Sequence, residues 1–167
     1  ACDSYSWNGT TYTQSGTYAF ATTSSNGCDS TATLNLIVNA SSSNTTTASA
    51  CDNYTWSVNN QVYTTTGTYS YLNGCVTEVL QLTITNSSTA PISITASVGV
   101  GCINVPVTLS VNGGSLGSGA SWVWYAGSCG SGTILGSGNS ISITEDSAGT
   151  YSYYVRAEGS CNTTVCI

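Results

Sequence analysis

Histidine, lysine and methionine are all missing from this sequence of 167 residues, and arginine occurs once, as Arg156. Without His or Lys the commonest general bases of neutral-pH catalysis are absent. The missing His also excludes Cys/His zinc frameworks, and no two cysteines stand at the C-x-x-C spacing of a zinc or redox site. One Arg against a net charge of −6 leaves no cluster of cations to displace counterions from phosphate. That excludes a nucleic-acid partner and attraction to anionic membrane surfaces. Apolar runs of about 18 residues are lacking, so no membrane insertion by a helix is expected. Ala1-Cys2 opens the chain with no basic, apolar leader, and the expectation is a processed or excised piece of something longer.

What is present points outward. Charged residues make up 5% of the chain, against about a quarter in an ordinary soluble domain. Ser and Thr supply roughly a third, so the surface is wetted mainly by hydroxyls and amides. Eight cysteines in such a chain read as disulfides formed in an oxidising compartment, each contributing about 2–4 kcal/mol. An extracellular, cell-surface location is expected.

Self-comparison organises the chain. Cys2-Asp3-Ser4-Tyr5-Ser6-Trp7 recurs as Cys51-Asp52-Asn53-Tyr54-Thr55-Trp56. Tyr12 then matches Tyr63, Ser15-Gly16-Thr17-Tyr18 matches Thr66-Gly67-Thr68-Tyr69, and Asn26-Gly27-Cys28 matches Asn73-Gly74-Cys75. Alternating apolar positions follow in both copies, at Leu34, Leu36, Val38 and at Leu80, Leu82, Ile84. Tyr, Trp, Thr and Val with period-two alternation make these strands, with Asn-Gly as a tight-turn signal. Two short β modules are expected over 1–39 and 51–86, separated by a Ser/Thr-rich linker over 40–50 and followed by a second linker over 87–91.

Residues 92–167 carry a different pattern. Alternating runs at Ile92–Ala96, Val105–Val111, Trp122–Trp124, Ile141–Ile143 and Tyr151–Val155 are separated by Gly-rich turns, which is the pattern of a β-sandwich with Trp122 or Trp124 as core plug. The fold class expected is thus all-β: tandem small disulfide-stapled β modules followed by an Ig-like β-sandwich. Bracketing of each module suggests Cys2–Cys28 and Cys51–Cys75. In the sandwich, antiparallel strands at Val105 and Trp122 would bring Cys102 to Cys129, leaving Cys161 with Cys166 around the last hairpin.

Reactive chemistry is sparse. No G-x-S-x-G elbow accompanies the many serines. Of the carboxylates only Glu145 and Asp146 are adjacent, and neighbours in a strand point to opposite faces, a poor arrangement for a glycosidase dyad. No D-x-[DN]-x-[DN]-G calcium loop occurs. No catalytic residue, cofactor or metal is therefore expected. The 11 Tyr and 4 Trp admit two readings, a repeated core or a stacking platform for sugars, with Trp122 as candidate ligand contact in the second. Six N-x-[ST] sequons begin at Asn8, Asn39, Asn44, Asn53, Asn86 and Asn162, a frequency that chance supplies in a chain so rich in Asn, Ser and Thr.

The C-D-x-Y-x-W, [ST]-G-T-Y and N-G-C series resembles a module of very large surface adhesins of the phylum Bacteroidetes, the SprB-like gliding-motility family. Ser121-Trp122-Val123-Trp124-Tyr125 and the segment from Tyr153 to Cys166 resemble the Ig-like repeat of the same proteins. The resemblance implies export by the type 9 secretion system and display as long filaments that attach to surfaces during gliding or biofilm growth. Its implied partners are neighbouring modules of the same longer chain or filament, surface glycans and abiotic surfaces. It also implies candidate O-glycosylation at Ser30 in Asp29-Ser30-Thr31 and at Ser147 in Asp146-Ser147-Ala148. Relative to that family the sandwich stops one strand short after Cys166, so either the piece is cut inside a repeating polypeptide or a neighbour completes the sheet.

Overall fold

In a computed structural model describing residues 1–23 and 27–167, the chain is all-β, with fifteen strands and no helix among the described residues. Each repeat folds as two successive antiparallel hairpins. In the first, β1 (Tyr5–Trp7) pairs β2 (Thr10–Tyr12), and β3 (Gly16–Thr23) pairs β4 (Asp29–Leu36). A three-stranded sheet in the order β5-β9-β8 follows, built from β5 (Ser42–Cys51), β8 (Gly67–Asn73) and β9 (Val76–Thr85). The small hairpin of β6 (Tyr54–Trp56) and β7 (Gln61–Tyr63) repeats β1-β2. Gly27 (φ 77) and Gly74 (φ 64) hold the left-handed turn conformation before the second cysteine of each repeat. Asn26, the first residue of the expected turn in the first copy, lies outside the described residues.

β5 corrects the expected linker over 40–50. Its side chains are mostly exposed Ser, Thr and Asn, which is why no apolar period marks it, yet its backbone is hydrogen-bonded to β9. Ser42 N–H donates to the Cys75 carbonyl (3.0 Å) and Asp52 N–H to the Thr85 carbonyl (2.8 Å), so β5 and β9 run in the same direction. The segment over 87–91 is also no free linker, since Thr89 bridges Ser115 and Ser88 is buried.

Contacts divide the chain into two compact units, one of Ala1–Ala48 with Thr55–Thr83, the other of Ser49–Tyr54 with Ile84–Ile167. In the first unit Trp56, Leu80 and Leu82 are buried to 2% exposure or less, and Leu36 is nearly so. The aromatic stack is duplicated: Tyr12 lies 4.0 Å from Tyr18 between ring centroids, and Tyr63 lies 4.1 Å from Tyr69.

The second unit holds two three-stranded sheets packed face to face. One has the order β10-β11-β14, from β10 (Ser93–Ala96), β11 (Val107–Asn112) and β14 (Ser140–Ile143). The other has the order β13-β12-β15, from β12 (Ser121–Ala126), β13 (Thr133–Ser137) and β15 (Tyr153–Glu158). Leu109 from the first sheet meets Trp122, Trp124, Val155 and Ala157 from the second, and Ile94, Val111, Ile141 and Ile143 close the layer. β13, which the Gly-flanked sequence hid, is joined to β12 through a register shift at Trp124/Tyr125. Residues 163–167 run back along β15, with Thr164 N–H donating to Ala157 and Ile167 exchanging both backbone bonds with Val155.

A shared corner recurs three times. Tyr18, Tyr69 and Tyr151 each donate their hydroxyl to a carbonyl four residues upstream, on Gln14, Thr65 and Ser147, at 2.8, 2.8 and 3.0 Å. The ring folds back over the glycine two residues before it, and a Cβ at Gly67 would sit 3.3 Å from the Tyr69 ring. In the G-T-Y motif tyrosine thus supplies the bond, and its ring packs on the glycine, most tightly at Gly67.

Trp124 is fully buried and donates its indole N–H to the Gly138 carbonyl (2.9 Å). Trp124→Ala should cost the fold about 3–5 kcal/mol, measured as a lowered urea midpoint.

Candidate functional site

The features that recur with most chemistry are the two Cys-Asp turns. Asp3 (φ 57) and Asp52 (φ 62) are both left-handed, a conformation that Asp tolerates. In each turn the Asp N–H donates to the strand leaving its own module, to Asn39 at 2.9 Å and to Thr85 at 2.8 Å. The carboxylates then reach the chain just beyond. Asp3 accepts the Ser41 N–H (2.8 Å), and Asp52 accepts both the Ser87 N–H (2.8 Å) and the Ser87 hydroxyl (2.6 Å). Hydrogen bonding by Ser41 and by Ser87, side chain first and backbone second, holds both carboxyls below their ordinary pKa of 3.8. Each turn is a clasp closing a module's start onto its exit.

The clasp places its cysteine far from the one expected to pair with it. Cys2 lies beside Asn39, past the end of β4, whereas Cys28 precedes β4. Roughly ten residues of extended chain put about 30 Å between them. Cys51 and Cys75 are likewise at opposite ends of the ten-residue β9. The expected bridges Cys2–Cys28 and Cys51–Cys75 are thus replaced by Cys2–Cys75 and Cys51–Cys161.

In the sandwich the third bridge is Cys129–Cys166, not Cys102–Cys129 or Cys161–Cys166. β11 and β12 belong to different sheets, so they do not carry Cys102 and Cys129 together. Cys161 and Cys166 fall at opposite ends of the segment that pairs with β15. Cys28 and Cys102 are exposed thiols.

Trp122 is only 3% exposed and packs in the core, so it offers no face for a sugar, and its place as ligand contact is corrected to a core residue. Its Cη2 edge reaches Gly114 at the wall of a depression of about 330 Å³ lined also by Val111, Ser115, Leu116 and Asn139. The sole arginine lies on the face of β15 opposite the core residues Val155 and Ala157. Arg156 forms a 2.6 Å ion pair with Glu158 and lies 5.3 Å from the Tyr125 ring centroid, and the Tyr125 hydroxyl donates to the same carboxylate. That hydroxyl, and then Arg156, lower the Glu158 pKa, while Tyr125 is raised, chiefly by its bond to Glu158. Glu145 accepts the Tyr153 hydroxyl, whose pKa burial pushes up, so half of the Glu145-Asp146 doublet is engaged in structure. Among the described residues no three His, Cys, Asp or Glu side chains converge as metal ligands. Ser30 and Ser147 are both exposed, and the Ser147 hydroxyl also meets the Tyr151 hydroxyl at 2.8 Å.

No known family model matches this chain, and no curated protein matches it.

Clasp formation gives a definite pH dependence. Because both Asp pKa values are depressed in the folded state, their stabilisation is complete above the ordinary value of 3.8 and is lost as pH falls through the lower folded values. Acid unfolding monitored by tryptophan fluorescence should therefore lose part of its steepness below about pH 4 in the Asp3→Asn, Asp52→Asn double variant. The bridge Cys2–Cys75 closes a sequence separation of 73 residues. Replacing both cysteines with Ser should remove about 4 kcal/mol on the chain-entropy scale, seen in denaturant melts of the first unit.

Proposed function

We propose that this chain is a structural and adhesive repeat segment of an extracellular surface filament or giant adhesin, serving surface attachment, biofilm growth or gliding, and that it is not an enzyme. The observation that carries this reading is the Cys2–Cys75 bridge. It ties the start of one repeat to the hairpin turn of the next, so tension on the modules passes through a covalent bond. Three disulfides in a chain with 5% charge suit an oxidising, extracellular setting. Among the described residues no helix is long and apolar enough to cross a membrane.

Support for the finer assignment comes from the sandwich. Trp124 in a central strand and the Tyr151 corner between β14 and β15 are features of Ig-like sandwiches, which favours that reading of residues 92–167. Together with the sequence resemblance they favour the SprB-like adhesins and export by the type 9 system. A self-assembling filament subunit is the second reading, favoured by the unpaired outer edge of β4 among the described residues. Glycan binding, with Trp122 buried, would fall to exposed tyrosines such as Tyr5 and Tyr71.

Antibody to the folded chain should label the outside of intact source cells, and deletion of the gene should reduce their attachment to glass or to glycan-coated surfaces severalfold. Normal attachment by the deletion strain, with label confined inside the cells, would sink the proposal. Electron microscopy of the purified native material, by showing filaments or separate rods, decides between the two structural readings.

A further inference from the structure

The two repeats are alike in sequence but differently covered. β9 has β8 on one side and β5 on the other, whereas its counterpart β4 is paired with β3 alone. Cys75, in the turn before β9, is bridged to Cys2, whereas its counterpart Cys28, in the turn before β4, is a free exposed thiol. Burial follows the same division. Leu80 and Trp56 are exposed to 0% and 2%, while their counterparts Leu34 and Trp7 are only half-buried.

The open edge of β4 is already started. The Ala1 ammonium group donates to the Ile37 carbonyl (2.8 Å), Asn39 N–H to the Ala1 carbonyl (2.9 Å) and Asp3 N–H to the Asn39 carbonyl (2.9 Å). These are rungs of a parallel ladder, and the Cys2–Asn39 pairing is parallel. Ala50 and Cys51 end β5 in the same way, with the N–H of the following Asp52 bonded to the carbonyl of Thr85, the last residue of β9. Ala1-Cys2-Asp3 therefore occupies on the first module the place that the end of β5 takes on the second.

We infer that β4 and Cys28 form a receiving site for a further module of the Cys-Asp-x-Tyr-x-Trp kind. A Ser/Thr-rich strand lies along β4 in parallel, as β5 lies along β9, and the Cys-Asp clasp from which that strand emerges bonds to Cys28, as Cys2 bonds to Cys75. The same pattern is seen in the sandwich, where Cys51 of the second clasp bonds to Cys161 in the turn closed by the Gly159 N–H to Asn162 carbonyl bond. Because Cys2 and Cys51 are both already bridged, the donor cysteine belongs to neither of the two modules described above. Bond formation is a two-electron oxidation by a disulfide-bearing oxidant. One thiolate attacks the oxidant's disulfide to form a mixed disulfide and free one oxidant sulfur, the second thiolate attacks that mixed disulfide and displaces the other, and the oxidant leaves as a dithiol carrying the two protons that the joined thiols have lost.

The inference rests on the tandem-module reading but fails separately from it. Native surface material, alkylated before non-reducing proteolysis, is mapped by mass spectrometry. The expected result is Cys28 recovered almost entirely in linkage with a Cys-Asp-x-Tyr-x-Trp peptide distinct from those of Cys2 and Cys51, with Cys2–Cys75 and Cys51–Cys161 still fully formed. Cys28 found alkylated, joined to Cys102, or joined to Cys2 would overturn it, and the first two outcomes leave the tandem reading standing. Cys28→Ser should leave Cys2–Cys75 intact and abolish only the added linkage; loss of Cys2–Cys75 in that variant would also count against the assignment.

Discussion

Everything in the first unit depends on how little apolar surface its modules can bury. Leu36, Trp56, Leu80 and Leu82 are its buried hydrophobic residues among those described, and a repeat of about 40 residues is at the size where a core rarely suffices by itself. Covalent closure and the Asp clasps supply what the core does not. The bridge Cys2–Cys75 restrains the unfolded chain over a long loop, and each left-handed Asp satisfies backbone donors at a module's exit that would otherwise depend on solvent.

The same scarcity explains the composition. A strand such as β5 has almost no side chain to bury, so its order comes from backbone pairing to β9 and from the clasps at its ends. Thr, being β-branched, favours extended backbone, and the hydroxyls of Ser and Thr stay solvated, so such a strand needs no charge to keep it in water. Of the few charges that exist, two carboxylates serve the clasps and one ion pair lies beside Tyr125.

Glycine and tyrosine form the third recurring device. In both modules and in the sandwich a G-T-Y triplet turns the chain, with the tyrosine hydroxyl bonding four residues back and the ring lying over the glycine. Two compact units of different strand arrangement thus share one corner, a local solution that requires only three residues and no long-range contact.

All-β class, the repeat, and the strands at Leu80-Leu82 and Trp122-Trp124 were legible because alternation and self-similarity are local properties of a sequence. The strand β5 was not, since a strand held by its backbone leaves no apolar period, and β13 was hidden among glycines. The bridges expected within each repeat erred because an extended strand carries the cysteines at its two ends about 30 Å apart, and Cys102–Cys129 erred because the strands expected to be neighbours lie in different sheets. By itself the sequence determined that eight cysteines, two Cys-Asp turns and three G-T-Y corners exist. Which cysteine faces which was decided only by tertiary structure, because pairing depends on where strands end and not on the order in which they are written.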